Sequence, residues 1–484
     1  MCEPDAFAAP NTNATERQAT MTSFDASVVG SGPNGLAAAA ELARVGMRVQ
    51  VLEQATRIGG GTRTEELTLP GYLHDVCSAV HPTALASPFF RDIGLDVPWI
   101  HPEVPLAHPL GGGDVVALHR DVDATAEMLG ADAGRYRALM APFLDDVDAT
   151  IDAVLSPMVI RRSEPAAFAR VAAFGGVPAA VLAAGFSEDA TKALIGGLAA
   201  HSVASLHAPG TAGVGLFLGI LAHAVGWPIA RGGSVAIADA LARIVTESGG
   251  TITTGHNVRS PADIDATRML LDVMPPAALQ IAGERMSRPV RRRLASWRPG
   301  PGAFKIDFAL DAPIPWLDPL SPTAGTVHVG GSFDEIARAE HAVMSGEHPV
   351  DPYVLVSQPS LFDPTRAPEG KHTAWAYCHV PNGSTVDMTD RIVRQIERFA
   401  PGFRDTIVAS ATMNARQYQL HNPNYVGGDI GGGRFGLRKV LQLGDSRPFH
   451  LSDDVFLGSS AVPPGGGVHG MCGYLAARAM VAAG

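Results

Sequence analysis

The stretch that decides the fold runs from Ser23 to Gln54, "SFDASVVGSGPNGLAAAAELARVGMRVQVLEQ". Ala26 to Val29 is a short apolar run of the kind that forms a buried parallel strand. It ends in Gly30-x-Gly32-x-x-Gly35, with Pro33 and Asn34 inside the turn. Leu36 to Val45 predicts a helix, since Leu36, Ala39, Ala40 and Ala43 share one face and Gly46 stands where a glycine ends a helix. Met47 to Leu52 is a second apolar strand, closed by Glu53, 18 residues after Gly35.

Each part of this unit has a physical task. Gly30 permits the tight turn out of the strand, Gly32 lets a pyrophosphate approach bare backbone, and Gly35 allows helix and strand to pack closely. Free N–H groups and the positive end of the helix dipole then face the phosphates. Glu53, at the end of the second strand, is placed to accept hydrogen bonds from ribose hydroxyls. The fold class is therefore α/β, with a Rossmann-type dinucleotide domain.

The residues after the acid narrow the dinucleotide. They read "QATRIGGGTRTEELTLPGYLHDVCSAVHP", with glycines directly behind the acidic strand end, then Gly71-Tyr72-x-x-Asp75 and His81-Pro82. Such glycines let a long dinucleotide continue past the ribose. This stretch resembles the flavoprotein superfamily of amine oxidases, protoporphyrinogen oxidases and phytoene desaturases, and its Gly-Tyr-x-x-Asp and His-Pro pattern is most similar to the phytoene-desaturase branch. The resemblance implies FAD as cofactor, with Gly60, Gly61 and Thr62 against it. Gly61-Thr62 departs from the Gly-Arg of many relatives.

Near the other end stands "VPPGGGVHG", Val462 to Gly470. Val455 to Leu457 predicts a strand, Gly458-Ser459-Ser460 a turn, and Met471 to Ala482 a helix. The resemblance carries a flavin-holding role onto Gly458, Ser459, Pro464, Gly465, Gly466, Gly467 and Val468. A helix N-terminus there would stabilise the anionic edge of a reduced flavin. Cys472 is weighed as a covalent flavin tether and read as a buried free thiol.

In the middle, "RGGSVAIADALARIVTESGGTITTGHNV" reads as loop, helix, turn and strand, and Val258 takes the position of the family's adenine-contacting valine. "MLLDVMPPAAL" resembles the strand that returns to the cofactor domain. Alternation at Tyr353–Ser357 and Thr373–His379 predicts strands of an antiparallel sheet. Gly431-x-Gly433-x-x-Gly436 matches the dinucleotide pattern literally, with Asp454 behind it, but no strand precedes it, so it is read as loop. The organisation expected is a leader over 1–23; a discontinuous FAD domain over 24–101, 229–300 and 431–484; and an inserted mixed α+β substrate domain over 102–228 and 301–430.

Composition sets the remaining bounds. The chain has 484 residues, 46% hydrophobic and 18% charged, enough apolar content for large cores. A net charge of −11 argues against a nucleic-acid surface. Four cysteines without a C-x-x-C pair fit a reduced compartment, and the polar leader lacks a signal-peptide core, so a cytoplasmic location is expected. Ala193 to Ala230 contains no Asp, Glu, Lys or Arg. It is read as a core helix pair, then as the wall of an apolar pocket, with peripheral membrane contact a further expectation. Neither metal-ligand spacing nor a nucleophile elbow is present.

The function expected is an FAD-dependent oxidoreductase that dehydrogenates an apolar substrate by hydride transfer to flavin N5. The alternatives are an amine or alcohol oxidase, a redox-neutral polyene isomerase, and a flavin-free binding protein of the same fold. Candidate catalytic residues are His81, His421, Tyr425 and His469, with His201 as a further candidate base.

Overall fold

The computed structural model describes residues 23–156, 165–436 and 447–483. The expected leader lies almost wholly outside the described residues. Two sheets organise the rest. The first is parallel, with five strands in the order Val455–Leu457, Ala266–Leu271, Phe24–Val29, Val49–Leu52 and Thr251–Thr253. Its strands come from three separate parts of the chain, so the sheet closes only when both chain ends and the middle meet.

The central strand is apolar because helices cover both faces. Ala26 and Val28 are fully buried, as are Leu36, Ala37, Ala38, Ala39 and Ala40 of the helix Pro33–Arg44. Alanine on that helix lets it press against its neighbours. A Cβ on Gly35 would stand 2.1 Å from the Gly30 carbonyl, and one on Gly473 of the last helix, Met471–Ala482, 1.7 Å from the Asn34 carbonyl. Glycine is required at both places by backbone contact, not by flexibility.

The second sheet has seven strands, in the order Ile407–Met413, Gly302–Leu310, His372–Val380, Val354–Ser357, Ala324–Val329, Val104–Gly111 and Asp114–Leu118. All its pairings are antiparallel except Ala324–Val329 with Val104–Gly111. The two strands expected from alternation, at 353–357 and 373–379, pair with each other here. Helices Asp189–Ala200 and Thr211–Ala224 pack on each other beside this sheet, so the charge-free segment is a core helix pair. Among the described residues no helix is long and apolar enough to cross a membrane.

Candidate functional site

Between the two sheets lies a cavity of about 1120 Å³. That exceeds the roughly 300–1,000 Å³ typical of a single small-ligand site, and leaves room for a dinucleotide and a second molecule.

The dinucleotide end is built by the first strand–turn–helix unit. Gly30, Gly32, Pro33 and Asn34 line the cavity, followed by Glu53, Gly60 and Gly61, and by Val258. Gly30 has φ +102°, a left-handed turn open to glycine. Ser31 donates to Glu53 Oε2 from its N at 2.9 Å and its Oγ at 2.6 Å, while Ala55 N donates to Oε1 at 2.8 Å. The carboxylate that would hold a ribose is thereby oriented before any ligand arrives. A Cβ on Gly61 would collide with the Tyr425 hydroxyl at 2.1 Å, which explains a glycine under that ring.

Pro464, Gly465, Gly466, Gly467 and Val468 line the cavity from the far end of the chain. His469 follows them and is 1% exposed, so it is not a surface histidine. The Met471 N–H donates to its Nδ1 at 3.0 Å, which leaves the proton of the neutral ring on Nε2. Burial pushes its pKa down to about 4, against the opposing carbonyls of Gly465 and Gly466. Even so, Nε2 makes no hydrogen bond among the described residues.

Four cofactor candidates stand behind the cavity wall. Gly35 N donates to Asp272 Oδ2 at 2.9 Å. Thr62 Oγ1 donates to the Gly59 carbonyl at 2.8 Å. Gly458 is held free of a side chain by Leu270, Ala476 and Gly473, a helix-packing reason. Ser459 is fully buried, and its neighbour Ser460 lines the cavity instead.

His81 requires the clearest correction. It is 1% exposed and lies outside the cavity lining, with Nε2 2.8 Å from Ser234 Oγ. Ser234 in turn is fixed by Asp75, the acid of the Gly-Tyr-x-x-Asp motif. Asp75 accepts from Ser234 N at 2.7 Å, Thr64 Oγ1 at 2.7 Å and Arg366 Nη2 at 2.6 Å. Burial would raise the Asp75 pKa, but the Arg366 guanidinium and these donors hold it below the ordinary carboxylate value. Asp75 of the motif and His81 thus form a buried brace behind the site, while Pro82 lines the cavity. Cys472 likewise does not line the cavity: its Sγ donates to the Val462 and Gly465 carbonyls.

His421, Asn422 and Tyr425 do line the cavity. Asn424 anchors their loop, accepting from Met274 N at 3.1 Å and donating to the Asp272 carbonyl at 2.9 Å. The literal glycine match at Gly431–Gly433 is loop, as expected, yet it too borders the cavity. Asp429 shapes it by accepting from Gly431 N at 2.7 Å and Gly433 N at 2.8 Å.

Two residues escaped sequence reasoning. Arg63 lies one position past the family's usual arginine. It is 7% exposed, its Nη2 is 3.8 Å from Glu53 Oε1, and its Nη1 is 3.5 Å from His421 Nε2. The register offset hid it. Asp272, at the end of the returning strand, is 6% exposed. Burial pushes its pKa up to about 7, with Glu53 adding to the rise and the Gly35 N–H opposing it. Its position at the Gly30–Gly35 turn depends on a pairing over more than two hundred residues, which no local pattern announces.

The residues present fit FAD. Glycine backbone cradles the cavity at Gly30, Gly32, Gly60 and Gly61. Among the described residues, five buried polar atoms on its lining residues, Asn34 Oδ1, Arg63 Nε, Ser202 Oγ, Trp375 Nε1 and His469 Nε2, have no hydrogen-bond partner. Buried polar atoms of this kind call for a polar ligand.

Comparison with known proteins agrees with this geometry. Residues 28–93 match the NAD(P)-binding Rossmann-like domain. Pyridine nucleotide-disulfide oxidoreductase domain-containing protein 2 of Rattus norvegicus is 25% identical, over 94% of this chain and 93% of its own. The neurosporene-forming phytoene desaturase of Rhodobacter capsulatus is 27% identical over 50% of this chain and 51% of its own. Cyclohexylamine oxidase from Brevibacterium oxydans superposes with a TM-score of 0.60 at 15% identity, over 95% of this chain and 99% of its own, a likeness of fold.

Proposed function

We propose that this chain is an oxidoreductase of the FAD-dependent amine oxidase and phytoene desaturase superfamily, and that it dehydrogenates an apolar organic substrate; the Rossmann-like match at 28–93 and the similarity to a phytoene desaturase support this. FAD, when bound, would supply the two-electron acceptor for dehydrogenation. The protein's part is to bind, orient and exclude water.

One observation carries the substrate class. The wall built from Ala79, Phe217, Leu218, Trp227, Leu355 and Trp375 contains no charged side chain. Among the described residues, the charged ones that line the cavity, Glu53, Arg63, Arg259, Asp272 and Asp429, belong to the dinucleotide turns, to the loop after Val258, or to the Gly431–Gly433 loop. An amine substrate would arrive as a cation, for which a carboxylate partner in a desolvated site is the strongest counterpart. The apolar wall supplies none, which favours a hydrocarbon-rich molecule. Burial leaves the lining imidazoles of His201 and His469 neutral at pH 7, with pKa values down to about 3 and about 4. Placement and desolvation, rather than a strong base, are what such a site offers to C–H cleavage.

The test is an anaerobic titration of the flavin-loaded protein with apolar candidates, followed by absorbance. Loss of the oxidised flavin band supports dehydrogenation. Bleaching by primary amines, but by no apolar compound, would overturn the reading.

A further inference from the structure

The helix Asp189–Ala200 ends at His201, whose ring lies in the apolar wall beside Trp227, with ring centroids 5.8 Å apart. Its Nε2 is 2.9 Å from Nε2 of His328. Both rings are uncharged, because burial lowers His201 to about 3 and His328 well below the ordinary value. One Nε2 therefore carries a proton and the other accepts it.

The rest of the cluster decides which. His328 Nδ1 is buried without a hydrogen-bond partner among the described residues. It faces the Cβ position of Gly197, as does Nδ1 of His108, at 2.6 Å and 3.0 Å. His108 Nε2 lies 2.7 Å from the Gly331 carbonyl, which only accepts, so His108 Nδ1 bears a lone pair. It makes no hydrogen bond to His328. A buried N–H without an acceptor is rarer and more costly than a bare acceptor. His328 thus keeps its proton on Nε2 and donates it to His201. The His201 proton is left on Nδ1, and His201 lines the cavity.

We infer that His201 presents an N–H donor within the apolar wall, and that the substrate, otherwise apolar, carries a hydrogen-bond acceptor such as a carbonyl oxygen at that end. This rests on the reading of the cavity as an apolar-substrate site. His328 is a positioning residue, acting through His201. Gly197 belongs to the same device, since a side chain there would displace both partner rings.

Limonene and carvone share a skeleton and differ by one ring carbonyl, so they serve as a matched pair of probes. Binding of each to the flavin-loaded protein is measured by equilibrium dialysis. Carvone is expected to bind about tenfold more tightly, the worth of one desolvated hydrogen bond. The ratio stays constant from pH 5 to 8, because the donor does not titrate there. His201→Phe brings the ratio close to one, while His201→Gln, which keeps an N–H, retains part of it. Equal binding of both probes by the wild type overturns the inference and leaves the apolar-substrate reading standing, as does a ratio that survives in His201→Phe. Retention of neither probe overturns both.

Discussion

Replacing Asp272 by Asn is expected to tighten FAD binding and to remove its pH dependence. Asp272 Oδ2 occupies the Gly35 N–H and lies 3.0 Å from where a Cβ on Gly32 would sit. A carboxylate therefore shares the turn that a pyrophosphate approaches. Its pKa is pushed from 3.8 up to about 7, so ionising it in the fold costs about 4 kcal/mol at most. A dianionic pyrophosphate beside it favours the protonated form further. Above pH 7 the wild type must take up a proton to bind, and its Kd for FAD should rise towards tenfold per pH unit. The asparagine retains an oxygen for Gly35 N but has no charge. Its Kd should be flat from pH 6 to 9 and, at pH 8, at least tenfold lower than that of the wild type. Quenching of FAD fluorescence on titration with apoprotein measures both. The same sign holds for folding. The raised pKa makes Asp272 a stability cost that is absent below pH 3.8, grows up to about pH 7 and then stays constant, so the variant should gain thermal stability at pH 8. Wild-type binding that is flat across pH, or weaker binding by the variant, would refute this reasoning.

Glu53→Ala should weaken FAD binding about 10- to 100-fold, the worth of charge-assisted hydrogen bonds, in the same titration; an unchanged Kd would remove Glu53 from the ribose site. Gly473→Ala drives a methyl into the Asn34 carbonyl and should cost about 1–3 kcal/mol or more, read as a lower Tm. Gly134→Ala, in a helix with open space around the new methyl, should be neutral or stabilising by up to about 1 kcal/mol. Stability should also fall as pH drops from 6.5 towards 4. His74, His81, His108, His201, His223 and His469 have pKa values of about 3 or 4 in the fold. The unfolded chain binds those protons first, and they outnumber Asp272 and Asp307, whose raised values act in the opposite direction. A Tm that rises steadily down to pH 4.5 would contradict this.

What could be read in the sequence was what is local. Strand, glycine turn, helix and acid follow one another within Ser23–Gln54, and the final strand and helix, Val455–Leu457 and Met471–Ala482, appear where hydrophobic runs place them. Gly35 was legible down to its reason, close backbone contact. Gly458 was visible as a needed glycine, but its cause is the packing of Leu270 and Ala476, contributed by other elements. His81 looked chemical because histidine beside a glycine-rich motif is ambiguous; only the long-range contact to Ser234 reveals a brace. Arg63, Asp272 and the His201–His328 pair depend on contacts across the chain, and no periodicity or spacing encodes those.

The central claim is that both chain ends and the middle segment assemble one FAD site. Its most direct test is the visible spectrum of the purified protein, with identification of whatever acid releases from it. Flavin bands and the release of intact FAD are expected, or uptake of added FAD by protein purified without it. A folded protein that carries no flavin and binds none when FAD is supplied would contradict it.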